Sequence, residues 1–379
     1  MTATKLRQKR REFIRYAALC TGLLTVPTGQ SKAKQASQVW SFSACDNHQG
    51  QHFLAAWPEM HAELGFKIPV PERAHSATVI PHRNEVLFFS RRPGTKIYVV
   101  DYDRQVLKKT IEAKAGHHFY GHGSFKSLEG LFFATENPFY LSDQQGSEGV
   151  IGVYDSGTYQ RIGELPSGGL GPHQLCLMPD QKTLAIANGG IFTHPSRPRE
   201  KLNLDSMSSS LAYVDIASGT TLDHYRPKDP QLSLRHLACS PSGQVIVGAQ
   251  YQGPAHQTQP LIFSHQGENA LQAMTASHKL WQSQLQYIAS IVIDHTGNTA
   301  LSTAPRGGVV DQWDLTNNQH IRQERIKDAA GASYDQQQQR FLLSNGRGQV
   351  IGWQDNNIRS LRKEDYRWDN HLHTQMIAL

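Results

Sequence analysis

Ile97-Tyr98-Val99-Val100-Asp101, Ile151-Gly152-Val153-Tyr154-Asp155 and Leu211-Ala212-Tyr213-Val214-Asp215 are three versions of one strand, and reading them together decides the fold. Each is a short run rich in β-branched and aromatic residues that ends on aspartate, followed by a turn and a further strand. Val309-Val310-Asp311-Gln312-Trp313-Asp314 and Gln349-Val350-Ile351-Gly352-Trp353 are variants of it. Around the first copy, Ser76–Ile80 and Glu85–Phe89 precede and Val106–Thr110 follows. Four strands within about forty residues is the content of one propeller blade.

The second strands repeat as well. Pro179-Asp180-Gln181-Lys182 precedes Thr183–Ala187, and Pro241-Ser242-Gly243-Gln244 precedes Val245–Gly248. Self-similarity at a period of roughly 40–50 residues, with almost no helical periodicity, marks a propeller. Six blades fall near 73–113, 117–168, 170–227, 232–276, 284–326 and 328–365. A seventh is assembled from both ends, with Trp368–Leu379 giving one strand and His52–Val70 the others. The expectation is an all-β chain: a single, seven-bladed β-propeller over 37–379, closed by pairing of N- and C-terminal strands, which removes free sheet edges. The polar insert Phe192–Ser208 belongs on one face of the third blade.

Charge narrows the partners. The formal net charge is +6 over 379 residues. Through Ala36, eight basic residues against Glu12 account for +7, which leaves the remainder at −1. The basic balance therefore sits in the N-terminal segment, and no nucleic-acid partner is expected. That segment contains Lys9-Arg10-Arg11-Glu12-Phe13-Ile14-Arg15, the twin-arginine pattern. An apolar stretch, Tyr16 to Val26, and small-residue sites near Ser31-Lys32-Ala33 or Lys34-Gln35-Ala36 follow. The stretch is too short to span about 30 Å of hydrocarbon. Residues 1–36 read as a cleaved export signal, which places the mature chain in the periplasm as a monomer without a membrane span.

Four cysteines occur, Cys20 in the leader and Cys45, Cys176 and Cys239 beyond it. They are too few and too scattered for a disulfide framework, and no metal-finger spacing exists. Cys176 and Cys239 read as buried structural thiols; Cys45 is the candidate for reactivity.

The chemistry is suggested by position. A histidine opens the first strand of five blades: His75, His122, His173, His236 and His371. First strands line the central channel, so these residues are expected to form a ring around one axis. Tyr287-Ile288-Ala289-Ser290 and Ala330-Gly331-Ala332-Ser333 occupy that place in the other two blades. Neutral imidazoles suit a transition metal, iron or copper here. Alternatively the ring is a polar pocket for an anionic or small organic ligand, with Arg235 and Arg306 supplying charge, or the histidines tie each strand end to its neighbour. Glu136, Asn137, Asn188, His194 and Asn203 sit after strands or in the insert, where they are candidates for the channel mouth. The competing reading of that loop is internal hydrogen bonding. No nucleophile elbow, zinc-protease helix, phosphate loop or haem-attachment motif occurs. An enzymatic alternative, lactonase- or dehydrogenase-like, uses His122, His173 or His236 as general base. A purely structural interaction scaffold is the third class.

Ordered motifs across nearly the whole mature chain resemble the bacterial family known as domain of unknown function 1513. They include Phe119-Tyr120-Gly121-His122-Gly123, Gly171-Pro172-His173-Gln174-Leu175, Ala187-Asn188-Gly189-Gly190-Ile191, Thr193-His194-Pro195, Arg235-His236-Leu237, Pro305-Arg306-Gly307-Gly308 and Trp368-Asp369-Asn370-His371-Leu372. Departures are mild: Arg73-Ala74-His75 stands where Arg-Gly-His is expected, and Ser208 where proline is. The resemblance implies an exported propeller encoded beside imelysin-type and dihaem oxidoreductase-like proteins in loci tied to iron acquisition. Periplasmic proteins of an iron-uptake system are the partners it implies.

Overall fold

The computed structural model describes residues 37–378, apart from 60, 62, 140–147 and 198–199. The export signal and its cleavage region lie outside the described residues. The chain forms seven antiparallel sheets arranged in a ring, with almost no helix. Blade 1 runs outward from the channel as Ala74–Ile80, Glu85–Ser90, Lys96–Asp101 and Val106–Glu112. Five further four-stranded meanders repeat this order. Their inner strands are His117–Lys126, Pro172–Leu177, Leu232–Cys239, Ser290–Ile293 and Ala329–Asp335. Each inner strand packs against the next around the ring.

Blade 7 closes the ring with strands from both ends. His373–Ala378 is its inner strand and pairs with Ser37–Asp46, which pairs in turn with His52–Pro58 and then Phe66–Val70. The sequence reading had these ends in one blade but gave no strand to Ser37–Asp46. Ser41 to Cys45 are buried without interruption, so both faces are covered and the segment carries no clean alternation for the sequence to show.

The blades stick together through apolar faces. Trp57, Trp313 and Trp353 are fully buried, as are Phe42, Phe88, Phe89 and Phe119. A single helical turn, His278–Ser283, was not foreseen. Ser277 caps it by accepting from the Leu280 amide, and it buries Leu280 and Trp281. Trp281 stacks on Trp313 at 5.4 Å between centroids. Near the axis, hydroxyls bind carbonyls of the neighbouring blade. Thr78 donates to Gly123 at 3.0 Å and Thr303 to Ala330 at 2.7 Å, and within blade 7 Ser43 donates to His371 at 2.8 Å.

The cysteine expectation is corrected. Cys45 lies between strands 1% exposed, and burial pushes its thiol up to about 12, which rules it out as the reactive one. Cys176 and Cys239 are only half-buried, and the Cys239 thiol lies 3.5 Å from the Met178 sulfur.

Ending the chain at Leu372 removes the inner strand of blade 7 and leaves Ser37–Asp46 with an open edge. The truncated protein is expected to lose its cooperative thermal transition by circular dichroism. An unchanged melting curve would show that the end-to-end pairing does not hold the ring.

Candidate functional site

Four of the five histidines enter the channel through irregularities in their strands. The ladder slips between Ala74 and Ala77, Phe119 and Gly123, Pro172 and Gln174, and Leu234 and His236. A bulge re-aims side chains that regular pleating would send to alternate faces. It is how Arg235 and His236, adjacent in sequence, both reach the same cavity. Gly121, at φ +98°, is required here too: a Cβ at that position would lie 2.8 Å from the His75 ring. His371 comes from the loop ahead of the last strand.

The five rings converge. Centroids are 4.4 Å apart for His75 and His371, 4.6 Å for His122 and His371, 4.6 Å for His173 and His236, and 5.1 Å for His122 and His173. Donor nitrogens of His75, His122 and His173 lie within 4.8 Å of one another, and so do those of His122, His236 and His371. His122 belongs to both trios. Two nitrogens sharing one metal at about 2.1 Å are at most about 4.2 Å apart. Small side-chain rotations therefore bring either trio onto one ion.

Their outer nitrogens are tied across blades. His75 Nδ1 is 2.6 Å from Asp369 Oδ1, and Arg73 Nε donates to the other carboxylate oxygen at 2.6 Å. His236 Nδ1 is 3.1 Å from Gln174 Oε1. The amide orientation is set because Gln174 Nε2 donates to the Leu237 carbonyl at 2.9 Å. His371 Nδ1 is 3.2 Å from Ser290 Oγ, whose own proton goes to the Asn370 carbonyl at 3.0 Å. In each case the acceptor is fixed, so Nδ1 carries the proton and Nε2 presents its lone pair. That is the second-layer arrangement that orients metal-binding imidazoles. Nε2 of His122 and His371 and Nδ1 of His173 are buried without any partner. A buried polar atom left unpaired costs about 1–3 kcal/mol, so an ion on either trio, each of which includes two of these three residues, recovers part of that penalty.

Electrostatics keep the ring neutral. Burial lowers the pKa of all five histidines, and protonation of one is opposed by its neighbours, with Arg235 acting on His173 and His236. Burial also works against ionisation of Asp369, but the hydrogen bond from His75 and the attraction of Arg73 outweigh it and hold that carboxyl far below the usual range. Asp369 thus stays charged and accepts from a neutral His75.

The ring divides the channel. On one side, a cavity of about 190 Å³ is lined by His75, His173 and His236 together with Arg91, Arg92, Lys201, Arg235 and Arg306. On the other, one of about 500 Å³ is lined by His122, His371 and His373 among serines, threonines and apolar residues, with no charged side chain among the lining residues.

The remaining sequence candidates lie elsewhere. Glu136 is buried in blade 2, accepting from Tyr154 at 2.7 Å and bound by His117 and Arg161. Asn137 donates to the Pro138 carbonyl, and Asn188 to Ser167. Asn203 ties the insert to itself through the Phe192 amide and Gly190 carbonyl, and His194 bonds Ser196. None of these five is among the residues lining either cavity, although Oδ1 of Asn137 and of Asn188 is buried without a partner. Arg235 and Arg306 do line the first. Sequence reasoning missed Asp369, Gln174 and Ser290 as orienting groups, and Arg91, Arg92 and Lys201 as lining. The one available signal was that Arg91-Arg92 follows a second strand, as Arg306 does.

With this geometry in hand, comparison with known proteins is informative about kinship. Residues 68–375 match the sequence profile of a family described as protein of unknown function, DUF1513. The chain belongs to that family. The matched span contains all five channel histidines. None of the curated proteins compared matches. Among solved structures, hydrazine synthase of Kuenenia stuttgartiensis aligns with a TM-score of 0.60 at 13% identity, over 89% of this chain and 99% of that one. At that identity the likeness concerns the propeller fold alone.

The lowered histidine pKa values set a direction for acid stability. Unfolded histidines take up protons near 6.5, whereas the ring resists them, so the unfolded chain binds more protons as pH falls below that point. His118 and His373, lowered by burial to about 4, act the same way. Stability is therefore intact above about pH 6.5 and falls toward pH 4, and each histidine contributes up to about 1.4 kcal/mol per pH unit. Melting temperature of metal-free protein should drop steeply across that range, and less so in a His122→Ala/His173→Ala/His236→Ala variant. A flat profile would contradict the neutral ring.

Proposed function

We propose that this propeller is a periplasmic metal-binding accessory protein that holds a transition-metal ion on its channel histidines, in the service of iron acquisition. The observation that carries the reading is the set of three cross-blade bonds, from His75, His236 and His371, that turn Nε2 lone pairs inward. Those bonds would also serve to tie blades together; what a purely structural ring has no need of is ring nitrogens of His122, His173 and His371 left buried and unpartnered at the axis. An all-imidazole donor set without carboxylate in contact favours iron, copper, nickel or zinc over magnesium or calcium. Neutral histidine is the form that ligates, and the ring is held neutral without any proton having to be displaced. Iron is favoured among these by the setting the family resemblance implies, and the export signal by Arg10 and Arg11. Catalysis by His122, His173 or His236 as general base has less support, because a base works best with a pKa near the operating pH and burial lowers theirs well below it.

Elemental analysis of purified protein, loaded anaerobically with Fe(II) and separately with Cu(II) or Zn(II), tests this directly. Near-stoichiometric metal is expected in the wild type. His122→Ala, which removes the residue shared by both trios, should lose it. Asp369→Asn, which loosens the hold on His75 and Arg73 but removes no ring nitrogen, should weaken retention by about 10–100-fold at a melting temperature recorded alongside. Absence of retained metal in the wild type, or equal retention in His122→Ala, would overturn the reading.

A further inference from the structure

The cavity on the His75 side is cationic without a counter-charge. Arg91, Arg92, Lys201, Arg235 and Arg306 converge on about 190 Å³, and no carboxylate lines it. Among the described residues none of the five forms an ion pair, whereas seven other arginines do. Like charges gathered in a partly closed space repel one another unless an anion joins them.

The cations are also held in place. Arg306 lies 4.2 Å above the Tyr287 ring and Arg92 5.5 Å from that of Tyr120, which fixes the guanidinium planes while leaving their edges free to donate. Lys201 is anchored by donating to Gln252 at 2.5 Å. Arg235 is the decisive one. It is almost wholly buried, its Nε has no partner, and Gly189 leaves it room, since a Cβ there would come within 3.2 Å of the guanidinium.

We propose that this basin binds a small, multiply charged oxyanion, a polycarboxylate or phosphate, gripped by Arg92, Arg235, Arg306 and Lys201 with the faces of His75, His173 and His236 as its floor. Guanidinium forks match the paired oxygens of carboxylate and phosphate. The volume corresponds to about six waters at ~30 Å³ each, which is room for such an anion. Several cations argue for more than one negative charge on the ligand. The anion site stands on the cationic lining alone; only the corollary, that a bound anion would face a metal on the histidines and balance its charge, rests on the metal reading.

Equilibrium dialysis of metal-stripped protein against radiolabelled citrate, phosphate and acetate decides it. Citrate or phosphate should saturate at one per chain, with affinity falling as salt rises, and acetate should bind at least tenfold more weakly. The stronger of the first two identifies the ligand as polycarboxylate or phosphate. Arg92→Gln/Arg306→Gln should weaken binding by tenfold or more, and Lys201→Gln, an exposed position that leaves the fold unchanged, severalfold. Gln375→Ala, in the far cavity, should bind the anion as the wild type does, and because the protein is metal-stripped a failed metal site leaves this result standing. No saturable binding of citrate or phosphate by the wild type would overturn the proposal. So would undiminished binding in both cation variants at unchanged melting temperature, or loss of binding in Gln375→Ala.

Discussion

The bond between His75 and Asp369 joins the first blade to the last, and closure of the ring and geometry of the site both depend on it. Asp369 follows the short pairing of Arg367–Trp368 with Cys45 and Asp46, so its position is set by the same strands that seal the seventh blade. From there it anchors Arg73 with one oxygen and His75 with the other. A buried carboxylate is costly unless fully engaged. This one is engaged by an arginine, a histidine and the Asn370 amide, so it stays ionised. The consequence at the axis is an imidazole with one possible tautomer. His371, two residues along, is fixed through Ser290 of blade 5, and His236 through Gln174 of blade 3. Rigidity around the ring and readiness of its lone pairs are thus one property.

The two sides of the ring have different chemistry because adjacent residues of the same strands are shared between them. The bulge at Arg235 sends a guanidinium and an imidazole into one cavity, while the equivalent irregularity in blade 2 sends His122 to the other. A neutral donor cage thereby sits between a cationic basin and an uncharged polar vestibule. A cation approaching the cage from the basin meets repulsion, and an anion meets attraction. The vestibule imposes neither, so the two openings differ in what each admits most readily.

Much of the architecture was legible because propeller blades are local. Ile97–Asp101 and its repeats carry their pairing in nearby sequence, and turns such as Pro241-Ser242-Gly243 mark the strand ends. The placement of histidines at first strands followed from the same periodicity, since equivalent positions in a ring point to one axis. What was not legible depends on contacts between distant segments. Ser37–Asp46 is recognised as a strand only by its pairing with His373–Ala378. Glu136 and Asn188 looked available because the buried partners that absorb them, Tyr154 and Arg161 for one and Ser167 and Ser210 for the other, are chosen by tertiary packing. Cys45 stood as the candidate for reactivity because the strand that covers it, Arg367–Trp368, lies at the far end of the chain. The bulges leave no sequence mark apart from Gly121, so the meeting of Arg235 with His236 in one cavity had to come from the structure.

The central claim is that the channel histidines converge on a common metal through neutral imidazole nitrogen. X-ray absorption at the metal edge of protein loaded with a single equivalent of metal tests it most directly. A first shell of nitrogen or oxygen at about 2.0–2.1 Å, with the outer-shell scattering of at least three imidazoles, is the predicted spectrum. A shell containing sulfur, or one without imidazole scattering, would place the metal elsewhere and contradict the account.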